Sequence, residues 1–199
     1  MKTHSKLIVL FFGLLTFTAV LTGCGVQSIP RQQNAVEASW AEVLNQFQRR
    51  ADLIPNLVET VRGYAKQEKD VFTAVTEARA KATQMNVSVD QLNEDNLKKL
   101  QQAQSQLQGA LGRLMAISEN YPQLKSDQNF RDLQVQLEGT ENRITIARQR
   151  YIQTVNDFNN LVSVFPTSLT NSLFFHYAKK PQFSVENPQD LQKAPPVKF

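Results

Sequence analysis

Residues 36–61 read VEASWAEVLNQFQRRADLIPNLVETV, and apolar residues recur in them at alternating intervals of four and three. The series continues to residue 82 and is interrupted only by Arg50 and Glu68. This spacing places the apolar side chains on one face of a helix, a face that must pack against other helices. The positions are Val36, Trp40, Val43, Phe47, Ile54, Leu57, Val61, Tyr64, Val71, Val75, Ala78 and Ala82.

Two further series have the same coiled-coil-like spacing. One has polar members at Thr140 and Thr154, and the other is weaker. Together the three series predict an all-α fold, an elongated up-and-down four-helix bundle. The second series, with the two threonines, consists of Phe130, Leu133, Leu137, Thr140, Ile144, Ala147, Tyr151, Thr154, Phe158, Leu161 and Phe165. The third and weaker series consists of Leu97, Leu100, Leu107, Leu111, Leu114 and Tyr121.

Helix boundaries follow from capping residues and prolines. Residues 88–91, Ser-Val-Asp-Gln, form a predicted capping box, Pro122 closes the third segment, and Ser126 or Asp127 caps the last long helix. Two interpretations of Pro55 stay open. A break near Asp52, with Pro55 in the first turn of a new helix, gives four segments of comparable length and is favoured. A single helix kinked at Pro55, running from about 31 to 85, would leave three long helices.

The N-terminal residues predict export and lipidation. Lys2 and Lys6 precede a 15-residue stretch without charge, 7–21, which is short for a membrane-spanning helix. It ends in Leu-Thr-Gly-Cys, which resembles the lipobox of bacterial lipoproteins and makes Cys24 the acylation site. The alternative is an uncleaved anchor with an incidental cysteine. The predicted organisation is a signal peptide at 1–23, a linker at 24–34, the bundle at 35–166, and at 167–199 a tail that lays some aromatic side chains on the bundle.

Composition excludes several function classes. A single Cys rules out an intrachain disulfide, and His176 is the one histidine left after the signal peptide, which disfavours a catalytic triad or a Cys/His metal cage. No cofactor or metal is therefore expected. With 22 Lys and Arg against 18 Asp and Glu, and with basic clusters only as long as Arg49-Arg50, nucleic acid is not an expected partner.

Three stretches carry a family resemblance. Residues 48–65, QRRADLIPNLVETVRGYA, the stretch 109–125 and the stretch 140–151 with its TENRI motif resemble the LemA family. The resemblance implies a helical bundle at a bacterial membrane, without a known catalytic activity. Family members typically carry one membrane-spanning segment where this chain has a lipobox. The motif residues form a candidate interaction or structural set: Arg49, Arg50, Asp52, Pro55, Asn56, Glu59, Glu68, Glu141, Asn142 and Arg143.

The expected function is that of a non-enzymatic, lipid-anchored interaction or scaffold module for an envelope protein. The alternative is an envelope hydrolase whose carboxylates are unidentified. In a cell with two membranes, Gly25 after the cysteine favours the outer membrane, and the oligomeric state stays open. Arg50 and Glu68 should each meet a partner on another segment, with Glu141 and Arg143 as candidates. Structural roles are expected for several motif residues: a cap for Asp52, a kink for Pro55, and hydrogen bonds between helices for Asn142 and Arg143.

Overall fold

The computed structural model describes residues 27–85 and 87–183. These residues contain helices and no strand, which confirms the all-α prediction. The predicted signal peptide, the lipidation site Cys24 and residues 184–199 of the C-terminal tail lie outside the described residues. The helices are α1 (Ser28–Tyr64), α2 (Lys69–Gln84), α3 (Glu94–Ile117), α4 (Pro122–Ser126), α5 (Gln128–Ser163) and α6 (Thr167–Thr170), with 3-10 turns at Val89–Gln91 and Ser118–Asn120 and a π-helical turn at Asn171–Phe175.

The two longest helices, α1 and α5, form the frame of the molecule. They share the most extensive interface and run antiparallel, because Tyr64 contacts Asp127 near one end and Gln32 contacts Thr154 near the other. The 37 residues of α1 span about 55 Å. The shorter helices α2 and α3 pack on each other and cover the second half of α1.

Pro55 lies inside α1, so the favoured break near Asp52 is wrong. The proline lacks the N–H that would bond to the Ala51 carbonyl four residues earlier. Arg79 on α2 supplies a replacement, since its Nε donates to the Ala51 oxygen at 2.7 Å. A neighbouring helix thus satisfies the acceptor that the proline leaves free, and α1 continues. Asp52 accordingly caps nothing and accepts a hydrogen bond from Gln48 in the same helix, at 2.7 Å.

The first break falls at residues 65–68, which also excludes a continuous helix from 31 to 85. The four principal helices therefore remain, with a different first boundary. The turn shifts the buried positions by one residue. Ala65 and Phe72 are buried in the places expected for Tyr64 and Val71, and Tyr64 is 41% exposed.

Other boundaries differ in part from the predictions. Ser88 makes no side-chain capping bond, and α3 begins after Asn93, whose side chain accepts from the Asn96 N–H at 2.8 Å. Asp127 caps α5 as expected, accepting from the Phe130 N–H at 2.9 Å. At the start of the bundle, α1 begins at Ser28, inside the segment expected to be a linker.

The tail folds back along the bundle up to the last described residue, as expected for its aromatic side chains. The Asn159 side chain and the Lys180 backbone exchange two hydrogen bonds, of 2.8 and 3.0 Å. Beyond them, Phe183 is buried and its ring lies within 6.0 Å of Trp40 and 5.5 Å of Tyr151. The tail therefore completes the core on this side of the molecule.

Candidate functional site

A polar layer crosses the bundle between two separate apolar cores. The first core contains Trp40, Tyr151 and Phe158, and the second contains Leu57, Leu114 and other residues of α1, α2 and α3. Between them lie buried polar side chains from three helices: Arg50 of α1, Gln104 of α3 and Thr140 of α5. Buried polar groups are costly unless they are hydrogen-bonded, so their partners define the layer.

Arg50 is the centre of this layer, and 2% of its surface is exposed. Its Nη1 donates to Glu141 Oε1 at 2.6 Å, and its Nη2 donates to Gln104 Oε1. The Nε has no hydrogen-bond partner, and the Phe47 ring centroid lies 5.7 Å from Cζ. One guanidinium therefore joins α1, α3 and α5. The predicted contact between Arg50 and Glu141, which are 91 residues apart in sequence, is confirmed.

A second arginine, Arg148, lies close to the ion pair of Arg50 and Glu141. The Glu141 side chain is 38% exposed. The charges of both Arg50 and Glu141 act on the Arg148 guanidinium. Burial lowers the pKa of the Arg148 guanidinium, repulsion from Arg50 lowers it further, and attraction to Glu141 opposes both effects. The Arg148 guanidinium also lies 4.5 Å from the Phe183 ring centroid. The side of Glu141 that reaches solvent offers a place for further polar contact.

The other predicted site residues lie elsewhere. Glu68 stands at the turn between α1 and α2 and accepts from the Tyr121 hydroxyl at 3.2 Å. Arg143 donates to Thr140 Oγ1 at 3.0 Å within α5, so the hydrogen bond between helices expected for it is wrong. Glu59 pairs with Arg62 at 2.8 Å on the surface of α1. The remaining four side chains are exposed: Arg49, Pro55, Asn56 and Asn142.

Sequence reasoning missed Gln104, although a signal for it was present. The third apolar series skips from Leu100 to Leu107, and the position that completes its period between them is 104. A polar residue at a core position of such a series usually has a buried partner. Here that partner is Arg50.

A groove of about 320 Å³ opens beside the polar layer, where α2 ends. Its walls come from α1, α2 and α3, and Gln104 contributes to its lining. The lining mixes small and large apolar side chains with a few amides, which is typical of ligand-binding or peptide-binding grooves. The lining residues are Ala41, Leu44, Asn45, Phe47, Gln48, Ala51, Ala82, Thr83, Met85, Leu100, Gln104 and Leu107.

Within residues 27–85 and 87–183, no group of three or more His, Cys, Asp or Glu side chains is arranged to hold a metal ion. No helix in that part of the chain is both long and apolar enough to cross a bilayer.

These features define an elongated all-α bundle whose long helices are joined at mid-length by a buried arginine. Residues 39–199 match the LemA family, so the chain belongs to that family. This confirms the resemblance carried by residues 48–65, 109–125 and 140–151.

The relatives are distant. Magnetosome protein MamQ of Magnetospirillum gryphiswaldense is 24% identical over 175 residues, which are 76% of this chain and 64% of the relative. Magnetosome protein MamQ 2 of Paramagnetospirillum magneticum is 22% identical over 180 residues, 82% of this chain and 66% of the relative. Protein LemA of Metamycoplasma hominis is 24% identical over 138 residues, 69% of this chain and 59% of the relative. The chain thus spans less than two thirds of the length of each.

Proposed function

We propose that this protein is a non-enzymatic module of the cell envelope, held at a membrane by lipid on Cys24, whose bundle binds another envelope protein. Membership of the LemA family supports an envelope-associated, non-catalytic protein. The tetrad Leu-Thr-Gly-Cys at residues 21–24, after a stretch without charge, supports the lipid anchor.

The groove beside the polar layer is the observation that carries the binding role. It is walled by three helices, and two of them, α1 and α3, are joined to each other by the contact of Arg50 with Gln104. A groove built on hydrogen-bonded helices keeps its shape before the partner arrives, which lowers the entropic cost of binding. Its volume and apolar lining suit one or two large apolar side chains of a partner segment, with Asn45 and Gln48 available to its backbone.

A filled groove tests the proposal. Thr83 lines the groove at the exposed end of α2, and Thr83→Trp would occupy the space that the partner needs. Gln84→Trp is the matched control, because Gln84 is the next residue, is also exposed and does not line the groove. A photo-crosslinker is placed at Asn45, and cells are irradiated with each variant.

We expect one reproducible envelope protein cross-linked to the parent and to Gln84→Trp, and its loss in Thr83→Trp. The partner, once identified, should bind the purified parent and fail to bind Thr83→Trp. An unchanged cross-link in Thr83→Trp would place the partner elsewhere. Turnover of an envelope substrate by the purified protein would contradict the non-enzymatic role.

A further inference from the structure

One end of the bundle exposes a cluster of large apolar side chains. Of the eight large apolar side chains that are exposed in residues 27–85 and 87–183, five lie within 164–174, and they are 50% to 74% exposed. We call this cluster the apolar tip. Exposed apolar patches of this kind usually mark a surface that is covered by a partner or a membrane. Its members are Val164, Phe165, Leu169, Leu173 and Phe174.

The apolar tip lies at the end of the bundle where α1 begins. Gln32 of α1 donates to the Thr154 carbonyl of α5 at 3.2 Å, which sets the start of α1 level with the last turns of α5. The chain leaves α5 after Ser163 and returns to it at Lys180, which bonds to Asn159. The segment between Ser163 and Lys180 therefore caps this end and projects past the frame of α1 and α5.

Basic side chains outnumber acidic ones at this end, where Asp157 is an exposed acidic residue of α5 near the tip. Residues 158–183 contain no Asp or Glu, and residues 1–36 contain none either. Lys179 is exposed just after the tip, and Arg31 is exposed in the first turn of α1. Apolar side chains flanked by basic ones are the combination that binds the interface of an anionic bilayer.

We propose that the apolar tip inserts into the interfacial region of the membrane and seats the bundle on its surface, with the long helices directed away from it. The inference rests on the proposed function, in which lipid on Cys24 holds the chain at that membrane. Cys24 precedes the start of α1 by only four residues, so an acylated cysteine would bring this end of the bundle against the bilayer. The apolar tip then adds a second contact with the membrane. Two contacts fix the orientation of the bundle relative to the membrane, whereas one flexible anchor does not.

Fluorescence quenching by lipid tests the proposal on the full chain. The protein is reconstituted into vesicles of phosphatidylethanolamine and phosphatidylglycerol that contain a lipid brominated on its acyl chain. Phe174→Trp and Leu173→Trp report on the tip, and Val135→Trp is the matched control, because Val135 is similarly exposed and lies in the first quarter of α5, far from the tip. The native Trp40 is buried and gives the same background in each variant. Circular dichroism confirms that each variant is folded.

We expect blue-shifted, strongly quenched emission from both tip variants and unquenched emission from Val135→Trp. The proposal would be overturned if the emission of the tip variants is quenched no more than that of Val135→Trp. It would also be overturned if their blue shift grows with protein concentration in detergent, because that result would indicate that a second copy of the chain covers the tip. Vesicle flotation separately reports the anchor. Mass spectrometry of the parent reports whether Cys24 carries lipid. Flotation without quenching overturns the tip alone. Quenching of the tip variants with no lipid on Cys24 overturns the anchor alone, and no flotation of the parent overturns both.

Discussion

The carbonyl oxygen of Ala51, which Pro55 leaves without its helical hydrogen bond, accepts one from Arg79 Nε of α2 at 2.7 Å. Ala51 is buried, so this acceptor has little access to water. The contact explains two features together: α1 runs through a proline, and α2 is tied to α1 at that level. An unsatisfied buried acceptor typically costs about 1–3 kcal/mol.

Removing the Arg79 donor should therefore destabilise the protein, and the cost should depend on Pro55. Arg79→Met keeps an unbranched stem and removes the guanidinium, and we expect a loss of about 1–3 kcal/mol in the free energy of unfolding. In a Pro55→Ala background the residue 55 N–H can bond to Ala51, so the same substitution should cost less than about 1 kcal/mol. Urea unfolding of the four variants measures the difference. An equal cost in both backgrounds would contradict this account.

The ion pair between Arg50 and Glu141 gives a second double-mutant cycle. Glu141→Ala leaves the buried guanidinium without its counter-charge, and we expect a loss of about 3 kcal/mol, the low end for a broken buried pair because Glu141 is partly exposed. The double variant with Arg50→Ala should lose less than the two single variants together, with a coupling energy of about 1–3 kcal/mol. Thermal and urea unfolding followed by circular dichroism measure it.

The surface pair of Glu59 and Arg62 is the control for this cycle. Its N···O distance, 2.8 Å, is close to that of the buried pair, but its side chains are 67% and 49% exposed. Exposed pairs contribute at most about 1 kcal/mol. If both cycles give the same small coupling energy, the pairing of Arg50 with Glu141 does not stabilise the bundle. The two residues would then be candidates for a role in partner binding.

Local periodicity predicted the helices and most of the core. Burial along a helix repeats with the turn of the backbone, so Val36, Trp40 and Tyr151 were found from spacing alone. The spacing also predicted that Arg50 needs a partner on another helix. It failed where a helix ends: Phe165 continues the series in sequence, but α5 stops at Ser163 and Phe165 is 74% exposed.

The features that the sequence did not predict depend on contacts between residues that are far apart in the chain. The continuation of α1 through Pro55 requires Arg79, and nothing in the sequence near Pro55 indicates that an arginine on the next helix will reach it. The burial of Phe183 against Trp40 depends on a tail without helical period, so no spacing rule applies to it. The groove likewise exists because α2 ends near Thr83, which is a property of the packed bundle.

Acid should weaken the cap of α5. Bonds from the Phe130 N–H and then from the Tyr64 hydroxyl hold the pKa of the Asp127 carboxyl below its usual value of 3.8. Because the folded pKa is depressed, the stabilisation is fully present above the unfolded pKa and is lost as pH falls through the folded value. Urea unfolding between pH 6 and pH 2 should therefore show a loss of stability below about pH 4 to which Asp127 contributes.

Two substitutions identify the Asp127 contribution. Asp127→Asn keeps an N-capping side chain but cannot ionise, so it should show a smaller loss of stability on acidification than the parent. Tyr64→Phe removes the hydroxyl donor to Asp127, so its loss of stability on acidification should lie between those of the parent and Asp127→Asn. An acid sensitivity of Asp127→Asn equal to that of the parent would show that this carboxylate does not set the response.

Lipidation at Cys24 is the prediction on which membrane attachment depends. Cys24 is the one cysteine of the chain, so it offers the one thiol that can form a thioether. Metabolic labelling with a radioactive fatty acid should mark the parent protein and leave Cys24→Ala unlabelled. Because several acyl chains give stable anchoring where one gives marginal binding, the parent should stay with membranes through a high-salt wash. A labelled Cys24→Ala protein, or a mature protein that still begins at Met1, would contradict the lipoprotein interpretation and leave an uncleaved anchor in its place.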